Sequence, residues 1–142
     1  SVTCWGGGNG DGYSNQGASL NYGKVSDNYG EVAIETRRLD DEGLRDIGFM
    51  KIDVEGHELA VLDGGRDLIA RDRPVLLIEM EEAHTKQPIE ESLAAVLSLG
   101  YDGFVLLDGE LKSLDAFDPE AHHRAAPTAT DYIFNFVFKP SR

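Results

Sequence analysis

FMKIDVEGHEL, residues 49–59, has the most informative pattern in this sequence. It begins with a mostly apolar run of six residues, which is typical of a strand buried on both faces of a sheet. Three carboxylates follow within six residues, at Asp53, Glu55 and Glu58. We therefore predict a core strand over 49–54 whose carboxyl end carries a concentration of negative charge.

The segments after this strand alternate between helical and extended patterns. HELAVLDGGRDLIA (57–70) has helical spacing interrupted by a Gly-Gly pair, VLLIEM (75–80) is a second apolar strand, a helix follows Pro88, and YDGFVLLD (101–108) is a third strand. DYIFNFVFKP (131–140) alternates as a strand does. This order indicates an α/β fold with a mostly parallel sheet. The last strand is expected to be antiparallel, because no helix separates it from the strand before it.

The remaining segments have weaker patterns. Residues 1–30 are rich in glycine and are predicted to be loop-like. EVAIETR (31–37) predicts a strand, LDDEGLRDIG (39–48) a short helix begun by an aspartate cap, and 115–130 a loop. A chain of 142 residues suits a single domain over 1–142.

Composition excludes several classes of function. The net charge of −13 disfavours nucleic acids and anionic membranes as partners, since both need clustered Lys and Arg. No apolar run approaches the roughly 18 residues of a membrane span. The N-terminus lacks the features of a signal peptide, and one cysteine excludes an internal disulfide framework, so a cytoplasmic location is expected. Because the chain does not begin with Met, we expect a piece of something longer.

Acidic residues follow each predicted strand of the sheet. Ligands of open α/β sheets bind beyond the carboxyl ends of the strands. Asp53 and Glu55 end the first of these strands, Glu79 ends the second and Asp108 the third. Lys51 shares a face with Asp53, because side chains alternate along a strand, and is expected to neutralise it. Asp53 and Glu79 are therefore candidates for facing a ligand.

Other polar residues near these strand ends have simpler interpretations. Glu58 is expected to be a charge at a helix start, where the helix dipole favours it. Glu81 and Glu82 are expected to be solvated. His57 and His84 each fit either a surface histidine or a base.

KIDVEGHELAVLDGG (51–65) and RPVLLIEM (73–80) together resemble the FkbM-type methyltransferases, a branch of the S-adenosylmethionine-dependent class. The resemblance extends over about residues 15–138. The positions that match the hallmark of that family are Lys51, Ile52, Asp53, Glu55, Gly56, Glu58, Pro74 and Glu79.

This resemblance implies a Rossmann-like methyltransferase sheet in which 49–54 is the fourth strand. It also implies methyl transfer from S-adenosylmethionine to a hydroxyl oxygen of a small molecule, a sugar or natural product. On this basis Asp53 and His57 are the catalytic candidates. Asp53 and Glu55 are the candidates for binding the cofactor, and Glu79 and His84 for binding the substrate.

The sequence departs from that family in its first part. GGGNGDG (6–12) is not followed by a helical pattern, although phosphate-type loops need a helix start to supply oriented N–H groups. We therefore expect the C-terminal part of a methyltransferase domain, lacking the Gly-rich cofactor loop and incompetent alone. Its fourth strand would lack a neighbour, so we expect EVAIETR or a second copy of the chain, in a homodimer, to cover that edge.

Two other interpretations remain open at this stage. Asp53, Glu79 and Asp108 could gather Mg²⁺ or Ca²⁺, since hard cations choose oxygen ligands, and Mg²⁺ could serve the methyltransferase as well. Alternatively, the chain is a non-catalytic α/β module whose sheet edge binds a partner.

Overall fold

The structure is a computed structural model that describes residues 2–9, 12–19, 29–129 and 131–142. Where the sequence suggested one domain, the chain has two compact units, Ser1–Arg37 and Arg38–Arg142. Each unit contains its own β-sheet.

The first unit is a three-stranded antiparallel sheet. Its strands are β1 (Val2–Asn9), β2 (Gly12–Ser19) and β3 (Tyr29–Ile34), in the order β2-β1-β3. The loop predicted for residues 1–30 is therefore wrong over β1 and β2, while 10–11 and 20–28 lie outside the described residues. Glycine-rich chain can pair as strands without any apolar period, because the ladder uses the backbone groups that every residue carries.

The second unit follows the predicted order of strands and helices, with two short additions, α3 and β7. Its helices are α1 (Glu58–Gly64), α2 (Arg66–Asp72), α3 (Glu82–Thr85) and α4 (Ile89–Leu97). Its strands are β4 (Phe49–Ile52), β5 (Val75–Glu79), β6 (Tyr101–Leu107), β7 (Glu110–Ser113) and β8 (Asn135–Pro140). Among the described residues, no helix has both the length and the apolar character needed to cross a membrane.

Irregular helical turns replace two of the predicted segments. The helix expected over 39–48 is only a 3₁₀ turn at Leu39–Glu42. The loop expected over 115–130 contains a π-helical turn at Glu120–Arg124. The break expected within 57–70 is confirmed, since α1 and α2 meet at its second glycine.

The five strands of the second unit form one mixed sheet in the order β4-β5-β8-β6-β7. Only β4 and β5 pair in parallel, so the prediction of a mostly parallel sheet is wrong, whereas that of an antiparallel last strand is confirmed. The reason is that β8 inserts between β5 and β6. Since β8 is antiparallel to both, β4, β5 and β6 still run in one direction and end at the same side of the sheet.

A continuous apolar core lies between the sheet and its helices. Phe136 and Phe138 of β8 are fully buried and alternate with more exposed neighbours, as the sequence predicts. In α4 the predicted apolar face is buried at Ile89 and Val96, whereas Leu97 is partly exposed. β8 is buried because it is the central strand of the sheet.

Strand β4 departs most from its prediction. Only Ile52 is buried, and Phe49 is 58% exposed. β4 is at the edge of its sheet, where β5 alone pairs with it. The predicted cover by EVAIETR is wrong, because β3 pairs with β1 in the other sheet. In the described part of the chain, β4 therefore has one unpaired side.

Two aspartates fix the chain just before β4. Asp40 accepts the N–H of Leu68, in the first turn of α2, at 2.9 Å. The aspartate cap predicted for 39–48 is wrong, because the residue before the 3₁₀ turn is Arg38, which makes no side-chain cap bond. Asp72 accepts the N–H of Ile47 at 3.1 Å and a 2.6 Å bond from Nε of Arg71. The bond from Arg71, with that from Ile47, lowers the pKa of Asp72 to about 2.

Candidate active site

The carboxyl ends of β4 and β5 lie side by side. Parallel pairing sets Ile52 opposite Ile78, one residue before Asp53 and Glu79. Neighbouring strands are about 4.8 Å apart, so these two carboxylates extend from adjacent strand ends. Strand pairing alone therefore brings together two residues that the sequence predicts for the site.

Asp53 forms the predicted ion pair with Lys51. Nζ of Lys51 donates to Oδ2 of Asp53 at 2.9 Å, and this bond raises the pKa of Lys51. The two side chains are 52% and 43% exposed, so the pair lies at the surface and not beneath a rim. Asp53 is thus a charge-balanced carboxylate that an incoming ligand can reach.

Glu79 is the half-buried carboxylate of the site. Burial raises its pKa, and the negative charges of Asp53 and Glu81 raise it further, against a smaller opposite effect of Lys51 and His84. The carboxylate of Glu79 therefore interacts electrostatically with two other carboxylates and with two basic side chains. A polar or cationic ligand would relieve the repulsion between the carboxylates.

The turn after β4 joins the two strand ends. Glu55 and Gly56 both have positive φ, 47° and 97°, which makes the turn tight. A Cβ added at Gly56 would lie 2.7 Å from the backbone oxygen of His84. Only glycine therefore allows the turn after β4 to pack against the segment after β5.

The predicted histidine and glutamate after this turn lie at the start of α1. His57 is the residue before the helix and is half-buried. Glu58 is in the first helical turn, as predicted, but it is buried, with only 3% of its surface exposed. Its Oε1 accepts the N–H of Gly56 at 2.8 Å, so its role in the structure is to fix the turn. Its Oε2 is buried without a hydrogen-bond partner among the described residues.

Two residues of this region were missed or misjudged from the sequence. Glu81, expected to be solvated, is half-buried, and its Oε2 accepts the hydroxyl proton of Tyr132 at 2.8 Å. Burial and this bond raise the pKa of Tyr132. The available signal was the alternation of the last strand, which places Tyr132 and Phe134 on one face just before β8. That β8 would pair with β5, and so bring Tyr132 beside Glu81, could not be predicted from this pattern.

Glu82 was also expected to be solvated, and this is wrong. Its carboxylate accepts the N–H of Ile89 at 2.8 Å and bonds from Arg124, which also pairs with Glu90. The bond from Arg124 lowers the pKa of Glu82. These contacts tie α3 to the π-helical turn and to α4.

The metal interpretation does not hold for the described residues. Asp108 directly follows β6, which β5 and β8 separate from β4, and its carboxylate pairs with Lys112 at 3.2 Å. It cannot join Asp53 and Glu79. Within the described ranges, no three His, Cys, Asp or Glu side chains come together as a metal site would require. Neither Mg²⁺ nor Ca²⁺ is therefore supported.

An apolar cavity of about 440 Å³ borders the open side of β4. Asp53 and Lys51 are the charged residues in its wall. Its other lining residues are Leu39, Leu44, Ile47, Phe49, Met50, Ile52, Val54, Val61 and Leu68. The predicted catalytic aspartate therefore lies beside a concavity and not in open solvent.

The second unit is an α/β sheet with acidic and histidine side chains near adjacent strand ends, the position where ligands of open α/β sheets bind. The sequence profile of the family described as "Methyltransferase FkbM domain" matches residues 4–119. The chain therefore belongs to the FkbM methyltransferase domain family, whose activity is methyl transfer. No curated protein and no solved structure matches the chain.

Proposed function

We propose that the chain is the acceptor-binding, C-terminal part of a Rossmann-like methyltransferase that methylates a hydroxyl oxygen of a sugar or natural product. The observation that carries this proposal is the pair of adjacent strand ends at Asp53 and Glu79, in a chain of a methyltransferase family. β4, β5 and β6 run in one direction and are connected by helices, which supports a Rossmann-like arrangement.

S-adenosylmethionine is the methyl donor in this proposal. Its sulfonium is cationic, which suits the negative strand ends, and the cavity beside β4 has apolar walls and a volume typical of small-molecule pockets. Asp53 and Glu55 would hold it. When bound, it supplies a methyl group on a positively charged sulfur that leaves as a neutral thioether.

The protein residues mainly position the acceptor. Alignment of an acceptor oxygen with the methyl carbon accounts for much of the rate in such a transfer. Glu79, with its raised pKa, is the last residue of β5, and His84 is on α3, which follows that strand; both can hydrogen-bond a hydroxyl group. An anionic acceptor would meet the carboxylates at both strand ends, so a neutral or cationic acceptor is favoured.

In this proposal the chain binds the cofactor without a Gly-rich loop, and it therefore departs from the expectation that the chain is incompetent alone. The G-x-G-x-G of residues 8–12 does not open a helix, because Gly8 is in β1 and Gly12 in β2. The turn at Gly56 joins β4 to the start of α1, but the carboxylate of Glu58 already accepts the N–H of Gly56, so this turn does not offer that group to a phosphate.

A second copy of the chain is the partner that we propose for the unpaired side of β4. In an antiparallel pairing centred on Ile52, Lys51 of each copy would lie opposite Asp53 of the other. The ion pair that now forms within one strand would then form twice between strands. The exposed ring of Phe49 would lose water contact in the same step.

Calorimetric titration with S-adenosylmethionine and with S-adenosylhomocysteine tests the cofactor assignment. We expect the chain to bind S-adenosylmethionine. Asp53→Asn should weaken this binding about tenfold or more, because it removes one charge-assisted contact. Asp108→Asn is the matched control, since that aspartate also ends a strand and pairs with a lysine. No binding by the folded chain, or equal losses in both variants, would contradict the assignment.

Transfer of a labelled methyl group to a panel of acceptors tests the reaction class. We expect label on sugar or polyol hydroxyls and none on phosphorylated sugars, because the strand ends are negative. Label on amines or carboxylates alone would overturn the hydroxyl assignment.

A further inference from the structure

Glu81 contacts two different side chains through its two carboxylate oxygens. It lies two residues after the end of β5 and is half-buried, with Oε2 accepting the hydroxyl of Tyr132 at 2.8 Å. Its Oε1 lies 3.8 Å from Nδ1 of His84, an ion-pair distance that is longer than a hydrogen bond. Catalytic hydrogen bonds are often this long without substrate and shorten when the complex forms.

The position of Glu81 depends on Tyr132, whose ring stacks on two neighbouring rings. Its ring stacks on His123, with centroids 5.0 Å apart, and on Phe134, at 5.5 Å. Nε2 of the buried His123 accepts the N–H of Glu82 at 3.2 Å, so its Nδ1 carries the proton and donates to a backbone oxygen at 2.8 Å. The hydroxyl of Tyr132 therefore has little freedom to leave Glu81.

His84 lies at the same side of the sheet as the strand-end carboxylates. Its backbone oxygen packs against the turn at Gly56, and its imidazole is close enough to Glu79 to affect the pKa of that carboxylate. The side chain is 27% exposed. No described residue hydrogen-bonds Nε2, so a ligand can approach this nitrogen while Nδ1 faces Glu81.

We propose that His84 takes the proton of the acceptor hydroxyl and that Glu81, held by Tyr132, positions its ring for that step. This inference rests on the proposed function. A carboxylate beside Nδ1 keeps the proton there and leaves Nε2 with its lone pair, which is the tautomer that a base needs. Asp53 already has Lys51 as its partner, so it is left to bind the ligand.

The step is balanced without any further reactant. The acceptor O–H bond breaks and its proton moves to Nε2 of His84. The electron pair of the oxygen forms the new bond to the methyl carbon, and the electrons of the carbon–sulfur bond remain on sulfur. Glu81 stays ionised throughout and Tyr132 stays protonated, so both are positioning residues and not catalytic ones.

The first test is the tautomer of His84 in the full chain, read from ¹⁵N shifts of the ring at a pH where imidazole is neutral. We expect Nε2 to be unprotonated in the wild type. In Glu81→Ala the proton should move to Nε2, and Tyr132→Phe, which keeps the ring stack, should give a mixture. The signals of His57 are the internal control and should not move. A wild-type proton on Nε2, or no change in Glu81→Ala, would overturn the proposal.

The second test is methyl transfer to the hydroxyl acceptor found in the labelled screen. His84→Gln should lower the rate about 10²–10⁴-fold while calorimetric binding of S-adenosylmethionine stays unchanged. Wild-type transfer by His84→Gln would overturn the role of His84. Failure of the wild type to bind the cofactor would contradict the proposed function instead, and the tautomer measurement distinguishes the two failures.

Discussion

The two edges of the five-stranded sheet are built in opposite ways. β7 is short and polar, with Glu110 and Lys112 along it, and Asp108 and Gly109 turn the chain back into it with φ of 54° and 76°. Positive φ at both positions matches the turn that tight hairpins prefer. β4 is equally short and carries Lys51, but it is not part of a tight hairpin, and its exposed Phe49 borders an apolar cavity.

Both strands are at an edge of the sheet and pair on one side only. We call β7 the closed edge, because its hairpin and polar residues disfavour further pairing, and β4 the open edge. Charged residues on a short edge strand discourage further pairing, whereas an apolar edge is a template for it. The candidate site is at the open edge, so a strand that paired with β4 would also border the site.

Gly56→Ala and Gly109→Ala compare the turns at the two edges. Both glycines have positive φ, 97° and 76°, so both variants are strained. Only at Gly56 would the new Cβ meet a backbone oxygen, at 2.7 Å from His84, whereas nothing lies within 4 Å at Gly109. We expect losses of about 3 kcal/mol and about 1 kcal/mol in the free energy of unfolding, measured in urea. Equal losses would show that the turn after β4 does not pack against α3.

Phe49→Lys and Leu111→Lys compare the edges as surfaces for association. Phe49 and Leu111 are 58% and 43% exposed, so both variants should fold. Sedimentation over a range of concentrations should show self-association that Phe49→Lys weakens about tenfold or more, because it places a charge in the proposed interface. Leu111→Lys should leave association unchanged. A strictly monomeric wild type would contradict the proposed homodimer.

The comparison also shows which features of the fold the sequence could predict. Segments such as 49–52, 75–79 and 135–140 carry periodic patterns that are local, and they were predicted within a few residues. Their pairing is a contact between distant segments, so neither the insertion of β8 between β5 and β6 nor the edge position of β4 could be predicted from periodicity. β7 is too short and polar to have an apolar period.

The same limit applies to the candidate site. Asp53 and Glu79 could be predicted because carboxyl ends of parallel strands meet, and the Lys51–Asp53 pair because residues two apart share a face. The contact between Glu81 and Tyr132 spans 51 positions and depends on where β8 begins, so no local pattern encodes it.

Glu79→Gln tests the electrostatics at the open edge. Burial raises the pKa of Glu79 above its ordinary 4.5 in the folded state, so wild-type stability falls as pH rises through the interval above that value. The variant has no such loss, and its stability relative to wild type should increase from about pH 4 to about pH 7 in thermal unfolding. Glu110→Gln removes one charge at the closed edge. An equal pH-dependent gain there would assign the effect to net charge and not to burial.

The smallest effect is expected for the ion pair at the closed edge. Nζ of Lys112 lies 3.2 Å from Oδ2 of Asp108, whose side chain is 87% exposed, so water screens the attraction. We expect Lys112→Ala to cost about 0.5 kcal/mol or less in urea unfolding and to leave S-adenosylmethionine binding unchanged. Lys51→Ala should have an equally small effect on stability, since that pair is also exposed, but should change cofactor binding, because it alters the charge beside Asp53. If both lysines could be replaced without any change in binding, the open edge would not differ from the closed one in function.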